Sequence, residues 1–143
     1  MHRDEILRDP TVTKVIKIRD YSEEMQNSLA KAVNDFIQFM KCSTPSEAIA
    51  KIKDMNPDDL VSLFRDYFID AKSRLAPKTV WNWSNAVRIW LFDNDVNIDL
   101  VAKRITREFK RYVAPKGIPK LLKRDIIERD EIKRILLVAD VRA

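Results

Sequence analysis

From Ser22 to Val113 apolar residues return every third or fourth position, the spacing that gathers them on one face of an α-helix. Met25, Leu29, Ala32, Val33, Phe36 and Met40 form the first such stripe, opened by Ser22 as N-cap with Glu23 and Glu24 in the first turn. Thr44-Pro45 starts a short second helix. Asn56-Pro57-Asp58-Asp59 starts a third, which would bury Leu60, Leu63, Phe64, Tyr67, Phe68 and Ala71 and end near Leu75. After the break at Ala76-Pro77, a helix is predicted from Lys78 to Asp93. Its core side carries Val80, Trp83, Val87, Trp90 and Leu91, with Lys78, Asn82 and Asn85 opposite. Trp81, Ile89 and Phe92 fall off that stripe and are expected against a neighbouring helix or, as the second choice, in a contact between subunits. Asn94 to Asn97 reads as a loop, and a last helix of this set begins near Asp99. The pattern predicts an all-α protein, a compact bundle of four to five helices over residues 22–113.

The flanks read differently. Residues 1–21 suit either an extended arm or a short helix capped by Asp9-Pro10 and running through Ile18. Ala114-Pro115-Lys116-Gly117-Ile118-Pro119 rules out continuous helix, so residues 114–127 read as a basic interdomain linker. Ile132, Ile135, Leu136 and Ala139 in residues 128–143 form a final helical pattern with too little chain to bury it. That segment is expected to be the start of a truncated second domain, or to be covered by a partner.

Composition narrows the chemistry. The chain has one glycine in 143 residues, which argues against hairpins and glycine-lined phosphate cradles. His2 is the only histidine and Cys42 the only cysteine, so neither a histidine-based catalytic pair nor a zinc-type ligand set can be assembled. The acid pairs Glu23-Glu24, Asp58-Asp59 and Asp130-Glu131 sit at helix starts, where the helix dipole accounts for them. No catalytic residue, metal, cofactor or small-molecule substrate is expected. No run approaches the ~18 apolar residues of a membrane span, and a lone cysteine fits a reducing cytoplasm.

Charge then supplies a direction. Up to Ala71 there are ten basic and thirteen acidic residues; from Lys72 onward there are seventeen and nine. Nine cations fall between Lys103 and Arg124, with Glu108 the only acid among them. At about 100° per residue, Lys103, Arg104, Arg107, Lys110 and Arg111 share one side of a helix, while Val101, Ile105, Phe109 and Tyr112 share the other. A cationic ridge of this kind repels itself and suits a polyanion, double-stranded DNA foremost. These five residues are the candidate phosphate contacts, continued along the linker by Lys116, Lys120, Lys123 and Arg124. Base or groove contact needs short directional donors and acceptors. Lys78, Thr79, Asn82 and Asn85, with Arg88 as a flank, are the candidates.

The order of parts resembles the core-binding domain of tyrosine recombinases, the phage-type integrases. The resemblance is carried by Phe36-Ile37-Gln38-Phe39 and by the acidic start Asn56-Pro57-Asp58-Asp59-Leu60. It continues with Leu75-Ala76-Pro77-Lys78-Thr79-Val80 leading into Asn82-Trp83-Ser84-Asn85-Ala86-Val87-Arg88-Ile89-Trp90. Leu121-Leu122 and Ile127-Glu128-Arg129-Asp130-Glu131-Ile132-Lys133-Arg134-Ile135-Leu136 are similar to the opening of that family's catalytic domain. The chain departs from the pattern at Glu128, where Thr or Ser is usual, at Ala76-Pro77, in place of a Ser-containing turn, and from Ile98 to Val113, which is longer and more basic than the family's pattern. The resemblance implies a SAM-like DNA-gripping half that self-associates on DNA. The tyrosine nucleophile and its helpers would belong to a catalytic domain following residue 143. The residues also allow two other readings: a free-standing helical DNA-binding regulator, and a protein-interaction module with a basic face.

Overall fold

The computed structural model describes residues 2–114. Among them are seven α-helices and one 3-10 turn, with no strand, so the protein is all-α. The helices are α1 (Arg3–Arg8), α2 (Pro10–Arg19), α3 (Glu23–Met40), α4 (Pro45–Lys53), α5 (Pro57–Ala71), α6 (Pro77–Asp93) and α7 (Ala102–Tyr112), the 3-10 turn lying at Ile98–Leu100. The five helices expected over residues 22–113 are α3 to α7. Residues 114–127 and 128–143, assigned above to linker and second domain, lie outside the described residues apart from Ala114.

Local chemistry sets each start. Ser22, Thr44 and Asn56 accept from the backbone N–H three residues on, capping α3, α4 and α5. Pro45, Pro57 and Pro77 occupy the first turns of α4, α5 and α6, where a missing N–H costs nothing. Helix ends lack the usual glycine, so Asp20 and Lys41 take the left-handed C-cap conformation at φ 51° and 61°.

The N-terminal segment is two helices rather than an arm, and both join the bundle. Asp9 caps α2 through Thr11 N at 2.9 Å and also accepts from Ser46 N at 3.1 Å, tying the start of α4 to the start of α2. Trp90 Nε1 donates to Thr11 Oγ1 at 3.0 Å, and Asn94 donates to the Thr11 carbonyl at 3.0 Å. Arg19 grips the buried Asp93 with Nε at 2.7 Å and Nη2 at 2.9 Å. These bonds tie both ends of α2 to the C-terminal end of α6.

The core forms where α3 packs on α6 and α5 packs on α7. Phe36, Phe64, Tyr67, Phe68, Trp90 and Phe109 are its largest fully buried side chains. Phe36 meets Phe64 and Tyr67 at 5.2 and 5.0 Å between ring centroids, and Phe68 meets Phe109 edge-on at 5.6 Å. Two predicted stripes are corrected. On α3 the buried face includes Ala30 and Ile37, while Met25 is exposed, because α1 packs beside α3 and rotates its burial. On α6, Trp81 is buried and Trp83 only half-buried, the reverse of the predicted core side. Trp81 is drawn in by α7, its ring tilted against that of Phe109 at 4.9 Å between centroids, whereas Phe92, also expected against a neighbouring helix, is exposed.

Candidate nucleic-acid interface

Burial of Val101, Ile105 and Phe109 fixes how α7 sits on the bundle and therefore which side chains it turns outward. Lys103, Arg104, Arg107, Lys110 and Arg111 are all exposed, as their spacing predicted. The ridge is nevertheless divided. On the flank facing α5, Arg104 Nη2 lies 2.8 Å from Asp58 Oδ1 in the first turn of that helix. Arg111 Nη1 lies 3.6 Å from Glu108 Oε2 within α7. On the flank facing α6, Lys103, Arg107 and Lys110 form no ion pair with another described residue. Two of the five candidate phosphate contacts are thus matched by the protein's own carboxylates, and three are not. Both pairs are solvent-exposed on the arginine side, where such pairs contribute about 0–1 kcal/mol and yield readily to a stronger anion.

The front of α6 borders the unpaired flank. Lys78 and Asn82 are exposed, and Thr79 and Asn85 are half-exposed. Ala76 caps this helix without a side-chain hydrogen bond. Trp81 on Phe109 and Arg88 on Thr106 place α6 beside α7, running in the opposite sense. Asn85 and Lys78 fall on the same side of α6 as Trp81, one turn away in each direction. Lys78, Asn82 and Asn85 therefore share the outward side of α6, with Lys78 and Asn85 nearest the edge that meets α7, whereas Thr79 lies about 160° around the helix from Trp81 and is not brought to that edge.

Arg88 turns inward between α6 and α7, with its guanidinium carbon 5.6 Å from the centre of the Trp81 ring and Nη1 3.4 Å from Thr106 Oγ1. Its Nε and Nη2 are sealed from solvent and have no hydrogen-bond partner. Burial pushes the guanidinium down to about 10, so it remains charged at neutral pH. The expected flank contact is corrected for a packing reason. Trp81, once inside, presents a ring face that the planar cation covers.

Lys116, Lys120, Lys123 and Arg124 lie outside the described residues. Among the described residues no cluster of potential metal ligands occurs, and no helix is long and apolar enough to cross a membrane. The sequence reading missed Thr106, half-exposed between Lys103 and Lys110 on the unpaired flank. Its spacing was visible, but a neutral residue carries no weight in a count of charges. No family model, curated protein or solved structure matches this chain.

Proposed function

We propose that this protein binds duplex DNA, laying the α6-facing flank of α7 along the phosphate backbone and the front of α6 against the groove. The observation that carries the reading is the segregation of charge on α7. Carboxylates match Arg104 and Arg111, whereas Lys103, Arg107 and Lys110 sit one turn apart with no carboxylate pairing them among the described residues. An uncompensated row costs electrostatic energy in the free protein and gains it back against a polyanion, with release of condensed counterions. Asn82 and Asn85 beside it have the donor and acceptor geometry that reads base edges.

Within that reading, the likeness of residues 22–143 to the core-binding domain of tyrosine recombinases supplies the finer role. The bundle is the half that grips the duplex while a separate catalytic domain cuts and rejoins it. No step of that chemistry is assigned to the described residues.

Fluorescence anisotropy of a random-sequence duplex, titrated across salt concentrations, tests the proposal. Four contacts from Lys78, Lys103, Arg107 and Lys110 give a slope of log affinity on log salt of about −3 to −4 from this body alone. Replacing Lys103, Arg107 and Lys110 together by alanine flattens the slope by about 2 to 3 units. An unchanged slope, or no affinity for random duplex at moderate salt, would overturn the reading in favour of an acidic protein partner.

A further inference from the structure

We infer that Thr106 is a phosphate contact whose hydroxyl is aimed outward by the buried Arg88. The inference rests on the duplex-binding reading of α7 and assigns it a neutral donor in the middle of the cationic row.

Three observations lead to it. Thr106 is half-exposed and lies three residues after Lys103, one before Arg107 and four before Lys110, so it sits at the centre of the unpaired flank. Its Oγ1 accepts from Arg88 Nη1, and its own proton has no acceptor among the described residues. A threonine inside a helix ordinarily returns that proton to the carbonyl four residues back. Here the oxygen is engaged from below by a cation, and the hydrogen is left for a group above. A phosphate oxygen held by Lys103, Arg107 and Lys110 is such a group.

The second half concerns Arg88 itself. A buried guanidinium with two unpartnered nitrogens is destabilising, and an apolar side chain of similar length would fill the site better. Its one side-chain hydrogen bond goes to Thr106. A charged donor polarises the hydroxyl it bonds, which strengthens the bond that hydroxyl gives in turn. Arg88 is therefore a positioning residue that touches no DNA, and its cost to the fold is explained by what it does to Thr106.

The test is the same anisotropy titration on random duplex. Thr106→Val removes the hydroxyl at nearly constant shape and lowers affinity about ten- to a hundredfold, the size of one hydrogen bond to a charged group. The salt slope stays at the wild-type value, because a neutral donor displaces no counterion. Thr106→Ser restores binding. Arg88→Met weakens binding to a similar extent without lowering the melting temperature, and adding Thr106→Val to it causes no further loss. Wild-type affinity for Thr106→Val, or a slope that flattens with it, overturns the assignment. If the triple alanine variant of α7 flattens the slope while Thr106→Val binds normally, only the Thr106 assignment fails. If the wild type does not bind duplex, both readings fail together.

Discussion

Asp93 shows how much a single pairing carries in this fold. Its side chain is 4% exposed and paired with Arg19, whose guanidinium its hydrogen bonds hold above the ordinary arginine value. Arg19→Met strands that carboxylate, and the expected cost is about 3 kcal/mol in unfolding free energy, measured by chemical denaturation. Asp93→Asn, which leaves a neutral hydrogen-bonding group in the same space, costs less. The reverse order would mean that Arg19 contributes through its aliphatic stem. Arg88 is the opposite case, a buried cation that no carboxylate among the described residues pairs with. The Arg19–Asp93 pairing was not legible in the sequence: the two lie 74 positions apart, and nothing local marks Asp93 as buried. What could be read was short-range, such as Ser22, Thr44 and Asn56 as caps, because their partners lie three residues away.

Helices end here with little help from glycine. Lys41 adopts φ 61° to close α3, a conformation that costs an L-residue with a Cβ about 1 kcal/mol. Lys41→Gly is expected to raise stability by about 0.5–1 kcal/mol in denaturant melts. A loss would show that the Lys41 side chain makes a compensating contact. At this scale the sequence was most informative over α5, where periodicity and capping agreed, and over α7, where periodicity alone placed the cations although Val101 caps it without a side-chain hydrogen bond. It misled on α6, where apolar residues occur nearly all round the helix. Trp81, Trp83 and Trp90 all satisfy some helical stripe, and only the position of Phe109 on α7 decides that Trp81 goes inside. The N-terminal helices were left open because Val12, Val15, Ile16 and Ile18 suit a strand as well as a helix. Contacts from Thr11 to Trp90 and Asn94 hold the helical form in place.

Across the whole sequence, charge divides into an acidic N-terminal half and a basic half that carries the exposed ridge, and the composition already pointed to that division, while both halves supply the core. It could not show that the ridge has two unequal flanks. Asp58 reaches Arg104 across 46 positions, and only the packing of α5 on α7 brings them together. The central claim is that the α6-facing flank, and not the α5-facing one, meets the DNA backbone. The most direct measurement compares the salt dependence of random-duplex binding for two paired variants, Arg107→Ala with Lys110→Ala and Arg104→Ala with Arg111→Ala. The account predicts that the first pair flattens the slope by nearly 2 units and the second by less than 1. Equal effects, or a larger effect from Arg104 and Arg111, would contradict it.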